Sequence, residues 1–159
     1  MSELFYDVLE TPIGFLHVSG TSEAICGISF YTPAESVKHT NPILRDCIEQ
    51  LRSYFDGSLQ HFSLPTAPSG TPFEVGVWQE LTRIPFGVTN SYLDVARRLN
   101  KPAATRAVGR ANGLNPISIV IPCHRVIGSN GSLTGYAGEL WRKRWLLDHE
   151  AKLSGTLLI

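Results

Sequence analysis

A short stretch rich in proline, serine and glycine divides this chain of 159 residues into two halves with different patterns. It runs from Pro65 to Gly70, and residues of these types interrupt regular structure and favour a linker. Before it, short alternating segments predict strands followed by one helix; after it, apolar residues recur at helical spacing. The predicted fold class is therefore α+β. A small N-terminal domain would span residues 1–66, and a mainly helical C-terminal domain would span residues 71–159.

The N-terminal half predicts an antiparallel sheet packed against a helix. Three candidate strands run from Phe5 to Glu10, from Phe15 to Ser19 and from about Ala24 to Phe30. Asn41-Pro42 then opens a helix, because an N-cap residue precedes the proline that the first helical position tolerates. The apolar stripe of this helix and the glycine that ends it are Leu44, Cys47, Leu51, Tyr54 and Gly57.

The C-terminal half predicts three helices. The first opens with the capping box Thr71-Pro72-Phe73-Glu74 and stops at Pro85, the second begins at Ser91, and the third runs from about Pro102 to Asn112. Two short helices joined by a tight turn form a candidate helix-turn-helix, although many helix pairs have this shape without touching DNA. The third helix carries small residues, which suit either close helix packing or a narrow groove: Ala103, Ala104, Ala107, Gly109 and Ala111.

Charge is distributed unevenly, although the formal net charge is +0 at pH 7. Residues 1–70 carry three Lys and Arg against eight acids, a net of −5, whereas residues 71–159 carry eleven against six, a net of +5. No acid lies between Asp94 and Glu139, and the cations in that stretch are Arg97, Arg98, Lys101, Arg106, Arg110 and Arg125. A charge run is usually a solvated face, but a basic stretch of this length also suits contact with phosphates.

The cysteines and the lack of long apolar runs indicate the cellular compartment in which the protein would act. The three cysteines, Cys26, Cys47 and Cys123, show no C-x-x-C spacing, so we expect no disulfide framework, no metal and a reducing cytoplasm. No apolar run approaches ~18 residues, and no signal sequence opens the chain, so we expect no membrane association. Cys26 in a strand and Cys47 on an apolar stripe are interpreted as core residues.

The third cysteine stands in the string Ile121-Pro122-Cys123-His124-Arg125-Val126. Thiolate is the nucleophilic form of cysteine, and a neighbouring base or positive charge favours it. His124 and Arg125 are candidates for that role. A cysteine after an apolar run is also commonly a small buried hydrophobe, so the pair alone leaves both interpretations open.

The sequence around this string resembles the DNA O6-alkylguanine alkyltransferases, suicide repair proteins that move an alkyl group from guanine onto their own cysteine. The matching stretches follow the family's order and are Thr71-Pro72-Phe73, Val77-Trp78, Ile84-Pro85-Phe86-Gly87, Ser91-Tyr92, Ala104-Thr105-Arg106-Ala107-Val108-Gly109, Asn115-Pro116, Pro122-Cys123-His124-Arg125-Val126, Gly135-Tyr136-Ala137-Gly138, Trp145-Leu146-Leu147 and His149-Glu150. Residues 1–70 match only loosely. The short, constitutive bacterial form is the most similar one, which implies a ribonuclease-H-like N-terminal domain, no metal and no cofactor.

This resemblance implies a reaction and a set of catalytic residues. The protein would flip O6-alkylguanine, and also O4-alkylthymine, out of double-stranded DNA and transfer the alkyl group irreversibly to Cys123. His124 would act on Cys123 through a water molecule, and Glu150 would orient the imidazole. Tyr92 would push the flipped nucleotide and donate a hydrogen bond to the guanine, while Asn115 would tie the helix pair to the segment carrying the cysteine. A monomer is expected, with clustering on DNA left open.

The resemblance also places residues at the DNA and around the flipped base. The third helix would enter the minor groove, and Arg106 would fill the space that the flipped base leaves. The residues expected at the DNA are Tyr92, Ala104, Thr105, Arg106, Ala107, Gly109, Arg110 and Arg125. The expected substrate pocket consists of Ser118, Val126, Tyr136, Ala137 and Gly138, with backbone groups of Val126 and Ala137 facing the guanine edge. Several relatives have Ser in place of Ala137 and some have Pro in place of Ser118, so the preferred alkyl group stays open.

Two functions of other classes compete with this one. A catalytically silent DNA-damage binding module, as in the alkyltransferase-like proteins, would have Trp in place of Cys123. A thiol hydrolase built on Cys123 and His124 would normally draw its histidine from a distant segment. Such a hydrolase would also leave Arg106 and the basic helix pair unexplained.

Overall fold

The chain folds into two compact units. The computed structural model describes residues 3–32, 38–134, 136 and 138–155. The first unit takes in the described residues of Met1–Ser69 together with Pro116–Ser118, and the second takes in those of Gly70–Asn115 and Ile119–Ile159. The division therefore falls near the predicted linker, but one short segment of the C-terminal half groups with the first unit. The division into two domains, residues 1–66 and 71–159, stays a prediction.

A three-stranded antiparallel sheet and one helix form the first unit. The strands are β1 (Phe5–Thr11), β2 (Gly14–Gly20) and β3 (Ile25–Tyr31), in that order across the sheet. Helix α1 (Pro42–Asp56) packs on the sheet, and the Asn41 side chain caps it by accepting a hydrogen bond from the Leu44 N–H at 2.8 Å. The four apolar residues of the predicted stripe are fully buried: Leu44, Cys47, Leu51 and Tyr54. The predicted sheet and helix are confirmed.

Part of the predicted linker is built into the first unit. The Ile25 N–H donates to the Pro65 carbonyl at 2.8 Å, and the Ala67 N–H donates to the Ile25 carbonyl at 2.8 Å. These bonds satisfy backbone groups at the free edge of β3, which would otherwise be left unpaired. Proline and serine rarely indicate that a segment pairs with the edge of a sheet. Composition alone therefore suggested a linker without backbone hydrogen bonds to β3.

The segment Pro116–Ser118 pairs with the same strand. The Ile28 N–H donates to the Pro116 carbonyl at 2.9 Å, and the Ser118 N–H donates to the Ile28 carbonyl at 3.0 Å. Ile119 follows this pairing directly and, at φ 74, adopts a left-handed conformation that β-branched residues rarely take. The chain therefore turns sharply within the apolar run that leads to Cys123.

Helices dominate the second unit. They are α2 (Pro72–Leu81), α3 (Tyr92–Arg98), α4 (Thr105–Gly113) and α5 (Leu140–Ser154), with short 3-10 turns at Pro102–Ala104 and Cys123–Arg125. Helix α4 packs against both α2 and α3. No helix within the described residues is long and apolar enough to cross a membrane.

Local sequence signals determine where these helices begin. Reciprocal capping boxes join Thr71 to Glu74 at the start of α2, and Ser91 to Asp94 at the start of α3. Asn100, at φ 59, makes the turn between the two helices of the predicted helix-turn-helix, since asparagine tolerates this conformation better than most residues. The third predicted helix opens as a 3-10 turn and becomes α-helical at residue 105.

A two-residue parallel strand pair brings the helix-turn-helix to the cysteine. Strand β4 (Asn90–Ser91) pairs with β5 (Val126–Ile127), with Asn90 opposite Val126. Tyr92 follows β4 directly, and Val126 follows the turn that begins with Cys123. Two residues show no periodicity, so the sequence could not predict this pair, although it sets the distance between two candidate site residues.

We expect Gly87→Ala to destabilise the protein. Gly87 lies at φ 80, and a Cβ atom there would lie 2.5 Å from the Ser154 Oγ and 2.6 Å from its Cβ. The left-handed backbone alone costs a side chain about 1–2 kcal/mol, so chemical denaturation should show a loss of at least this size in the free energy of unfolding.

The matched control is Gly76→Ala in α2, where a Cβ atom meets nothing within 4 Å. This substitution should raise the free energy of unfolding by about 0.5–1 kcal/mol, because alanine is the better helix former. If the two variants were equally stable, the close approach at Gly87 would not matter to the fold.

Candidate active site

Cys123 lies in a buried turn. It begins the 3-10 turn Cys123–Arg125, its N–H donates to the Ile121 carbonyl at 2.8 Å, and it is 4% exposed. Residues 121–126 are all buried. The apolar run of the sequence therefore delivers the cysteine into the interior of the second unit, in a fixed backbone conformation.

Two asparagine side chains hold this turn against the end of α4. The Asn115 Nδ2 donates to the Ile121 carbonyl at 2.7 Å, which is the tie that the family resemblance implied. The Asn112 Nδ2 donates to the Cys123 carbonyl at 3.3 Å, and Asn112 is 1% exposed. Sequence reasoning missed Asn112. Its helical spacing from Val108 on the buried face of α4 was the available signal.

His124 is a buried base with one nitrogen available. Its Nε2 lies 2.7 Å from the Glu150 Oε2; since a carboxylate only accepts, Nε2 carries the proton. The other ring nitrogen, Nδ1, is buried and has no hydrogen-bond partner among the described residues. Burial lowers the pKa of His124, and this outweighs the Glu150 carboxylate, which raises it. The imidazole is therefore neutral near pH 7 and keeps a lone pair on Nδ1.

Arg125 points into the protein, so the structure does not support the predicted contact with DNA. Its Nε donates to the Glu150 Oε1 at 2.8 Å and its Nη2 donates to the Glu150 Oε2 at 3.1 Å. Its Nη1 donates to the Ile84 carbonyl at 2.7 Å, and the residue is 6% exposed. Three of the five N–H donors of this guanidinium group are bound inside the protein, and the side chain is buried.

Glu150 joins these groups into one buried network. It accepts hydrogen bonds from His124, Arg125 and the N–H of Gly87, which lies 3.2 Å from Oε1. Burial raises the pKa of Glu150, but the charges and hydrogen bonds of His124 and Arg125 outweigh burial and hold the pKa well below its usual range. Glu150 is therefore ionised at rest. The sequence suggested His124 as a partner for this carboxylate, and the structure adds Arg125 and Gly87.

The resting thiol of Cys123 is protonated. Burial raises its pKa, and the opposing effects of the Asn115 side chain and the Lys143 charge do not overcome burial. The sequence suggested that His124 and Arg125 would favour a thiolate in the free protein. Instead, the free protein holds a neutral thiol next in sequence to a neutral imidazole.

Tyr92 and the start of α4 line a groove. Its volume is about 360 Å³, and it is lined by Tyr92, Thr105, Arg106, Gly109 and Thr134. The Tyr92 hydroxyl donates to the Thr134 carbonyl at 2.9 Å. Arg106 is exposed and forms no ion pair with any residue that the structure describes. The groove thus brings Tyr92 together with three of the residues predicted to contact DNA.

The other predicted DNA contacts lie on or next to the same helix. Ala104 ends the 3-10 turn before α4, Ala107 is half-buried in α4, and Arg110 is exposed on it. The other exposed cations of the basic stretch between Asp94 and Glu139 are Arg97, Arg98 and Lys101.

The predicted substrate pocket is only partly assembled by the described residues. Val126 is buried in β5, Tyr136 is buried, and the Gly138 carbonyl accepts a hydrogen bond from α5 at 3.2 Å. Ser118 belongs to the first unit, where its backbone pairs with β3. Ala137 lies outside the described residues.

Sequence reasoning also missed Lys143, whose side chain is fully buried. Its Nζ donates to the Val126 carbonyl at 2.6 Å and to the Thr134 carbonyl at 2.8 Å. Burial lowers the pKa of Lys143 to about 8. Lys143, Leu146 and Glu150 are the buried residues of α5, and this helical spacing was the signal that could have identified the lysine.

The other two cysteines belong to the first unit. Cys26, Cys47 and Cys123 are all free thiols. Burial raises the pKa of Cys47 to about 12, with further contributions from Asp46 and Asp7, so this thiol stays protonated in the core of the first unit. Within the described part of the chain, no cluster of three or more His, Cys, Asp or Glu side chains could hold a metal ion.

Comparison with protein families covers both halves of the chain. Residues 4–68 match the family described as 6-O-methylguanine DNA methyltransferase, ribonuclease-like domain. Residues 72–152 match the family described as 6-O-methylguanine DNA methyltransferase, DNA binding domain.

Individual relatives and solved structures agree with these matches. Methylated-DNA–protein-cysteine methyltransferase of Methanosarcina barkeri is 43% identical over 154 residues, covering 92% of this chain and 97% of the relative. The protein of the same name from Shigella flexneri is 53% identical over 120 residues, covering 75% and 69%. The crystal structure of Mycobacterium tuberculosis O6-methylguanine methyltransferase superposes with a TM-score of 0.84 at 39% identity and covers 94% of each chain. The structure of Mycobacterium tuberculosis OGT in complex with DNA gives 0.85 at 40% identity and covers 93% of each chain. The chain belongs to the 6-O-methylguanine DNA methyltransferase family.

Proposed function

We propose that this protein repairs DNA by transferring the alkyl group of O6-alkylguanine to its own Cys123 in a single turnover. Family membership gives DNA repair by alkyl transfer and methylated-DNA–protein-cysteine methyltransferase activity, with DNA as the partner. The observation that carries the choice of acceptor is the buried series of a thiol, a neutral imidazole and an ionised carboxylate at Cys123, His124 and Glu150.

Proton transfer to His124 would make the nucleophile. The Cys123 proton would pass through a water molecule to Nδ1 of His124, which has a free lone pair. Throughout this transfer, Nε2 would keep its own proton and its hydrogen bond to the Glu150 carboxylate. The thiolate sulfur would then attack the alkyl carbon and form a carbon–sulfur bond. The carbon–O6 bond would break, its electron pair would stay on the guanine, and Tyr92 would donate a hydrogen bond there. A thioether has no good leaving group, so the reaction would end after one turnover.

Base flipping would give the thiol access to the alkyl carbon, which lies inside the stacked duplex. We propose that α4 enters the minor groove and that Arg106 takes the place of the flipped base. Arg106 is suited to this role because it is exposed, unpaired among the described residues and part of the same groove as Tyr92. O4-alkylthymine would be a second substrate through the same route.

One chain would be sufficient for this reaction. Cys123, His124, Glu150, Tyr92 and Arg106 all belong to the second unit of a single chain. An acceptor thiol has to stay reduced, so we propose that the protein acts in the cytoplasm. A silent damage-binding module has no need of a buried base network behind a cysteine, and a hydrolase would have to release its acyl group from Cys123.

We expect Cys123 to be alkylated once and permanently. After mixing with a duplex carrying O6-methylguanine, each protein should gain about 14 Da, the mass of one CH₂ group, and peptide mass mapping should place it on Cys123. Cys123→Ser should abolish transfer while duplex binding survives. Several turnovers per protein, or a label on Cys26 or Cys47, would contradict the proposal.

We expect Arg106→Ala to slow repair of a methylated duplex on the order of 10- to 100-fold at saturating protein, because the energy of flipping is a few kcal/mol. Attack on free O6-benzylguanine, which requires no flipping, should be nearly unchanged. Arg110→Ala is the matched control on the same helix: it should reduce the salt dependence of duplex binding by about one phosphate contact and leave the saturated rate alone. Equal losses of Arg106→Ala on both substrates would mean that Arg106 has a structural role.

We expect His124→Ala and Glu150→Gln each to slow transfer about 10²- to 10⁴-fold, with little further loss in the double variant, because the residues act as one relay. Rate measured against pH should show thiolate forming at lower pH in the wild type than in either variant. Because burial lowers the pKa of His124, the wild-type rate should also persist below pH ~6.5, where an ordinary histidine would already be protonated.

Stability has to be measured alongside these rates. Glu150→Gln leaves the buried Arg125 without its counter-charge, which should lower the free energy of unfolding by about 3–5 kcal/mol. The control is Asp148→Asn, the same acid-to-amide change at an exposed position of α5. If Glu150→Gln lost only stability and titrated like the wild type, the relay assignment would be wrong.

A further inference from the structure

Two buried acceptor atoms of the second unit have no hydrogen-bond donor among the residues that the structure describes. One is Nδ1 of His124, which keeps a lone pair because Nε2 carries the proton bound to Glu150. The other is Oδ1 of Asn112, a side chain that is 1% exposed near the end of α4. A buried acceptor without a donor lowers the stability of the fold, so each of these atoms needs a partner.

One peptide group holds both side chains. The Asn112 Nδ2 donates to the Cys123 carbonyl at 3.3 Å. This carbonyl belongs to the peptide bond between Cys123 and His124, so the amide of Asn112 lies beside the residue that bears Nδ1. Only the nitrogen of a side-chain amide can donate to a carbonyl, and this identifies Oδ1 as the atom of Asn112 that is left for another partner.

The missing partner has to donate two hydrogen bonds, because both atoms are acceptors. The neighbouring asparagine does not supply them: the Asn115 Nδ2 donates to the Ile121 carbonyl at 2.7 Å, and the Asn115 side chain also interacts with the thiol of Cys123. A water molecule has two O–H donors, and a buried water typically makes about three hydrogen bonds. One water can therefore donate to both acceptors and accept a third hydrogen bond from the Cys123 thiol.

We propose that Asn112 is the positioning residue for the water of the alkyl-transfer relay: Oδ1 of Asn112 and Nδ1 of His124 accept the two O–H bonds of one buried water, which accepts from the Cys123 thiol. This role rests on the proposed function and gives its relay water a fixed place. The thiol proton moves to the water as the water passes a proton to Nδ1. The sulfur keeps the electron pair of the S–H bond, and the hydrogen bond to Oδ1 stays intact.

The test compares pH profiles of alkyl transfer in the wild type, Asn112→Leu and Trp78→Phe, with free O6-benzylguanine as the probe so that DNA binding plays no part. Leucine has a branched shape like that of asparagine and neither donor nor acceptor. Trp78→Phe is the matched control, because the buried Trp78 Nε1 donates to the Ala111 carbonyl at 2.8 Å and so holds the same end of α4 without an acceptor in the relay.

The two variants should differ in how their loss depends on pH. In Asn112→Leu the thiol has to lose its proton directly to solvent, so the rate should rise up to about tenfold per pH unit. It should lie on the order of 100-fold below the wild type at pH 7, the low end of what a general base contributes, and approach the wild type at high pH. Trp78→Phe should lower the rate by the same factor at every pH.

Both substitutions replace neutral side chains, so neither changes the charges around the base. The charged groups that act on the pKa of His124 are Glu150 and Lys143 from α5 and Arg125 from its own turn, and all three stay in place. A changed pH profile therefore reports the path of the proton. If Asn112→Leu lost rate by one factor at every pH, or lost none at pH 7, the proposed role of Asn112 would be wrong.

A crystal structure of the unaltered protein at high resolution covers the case in which Asn112→Leu does not fold. It should show one ordered water within hydrogen-bonding distance of the Asn112 Oδ1, the His124 Nδ1 and the Cys123 Sγ. No water at that place, or a protein donor bound to Oδ1, would overturn the assignment. Mass mapping separates the two proposals: label absent from Cys123 contradicts the proposed function, whereas label on Cys123 with a uniform loss in Asn112→Leu contradicts only the role of Asn112.

Discussion

The buried carboxylate of Glu150 is the interaction on which the rest of the site depends. It holds the imidazole of His124, the guanidinium of Arg125 and the backbone of Gly87 around one negative charge. These partners come from the turn of the cysteine and from the loop after α2, so a single side chain of α5 fixes both. Burial, with a smaller contribution from the charge of Arg125, lowers the pKa of His124 despite this carboxylate, and the imidazole stays neutral and able to accept a proton.

The two buried cations of this site, Arg125 and Lys143, have different electrostatic surroundings. Arg125 is bound to Glu150 through two nitrogens and compensates a charge that is always present. Lys143 is bound only to carbonyl oxygens and lies near a charge that exists only during the reaction. The resting site holds a neutral thiol, a neutral imidazole and one uncompensated ammonium group. Forming the thiolate and the imidazolium adds one charge of each sign to this arrangement.

The sequence predicted what is encoded locally. Thr71 and Glu74 lie only three residues apart in the chain, so their capping box predicted the start of α2, and Ser91 was predicted to begin α3. The inward direction of Arg125 was not predicted because a charged residue in a basic stretch resembles a surface residue until the position of Glu150 is known. Lys143 and the β4–β5 pair were missed for the same reason: their partners lie far away in the sequence. The family resemblance supplied the tie made by Asn115, which composition and spacing alone would not have given.

The burial and protonation of Cys123 also affect how long the unused protein survives. Peroxides and other oxidants react with thiolates that solvent can reach and convert them to sulfenic acid. Cys123 is 4% exposed and is a thiol at rest, so it offers such oxidants neither access nor a nucleophile. Under the single turnover proposed above, this arrangement would keep the sulfur of Cys123 in the reduced state until a damaged base arrives.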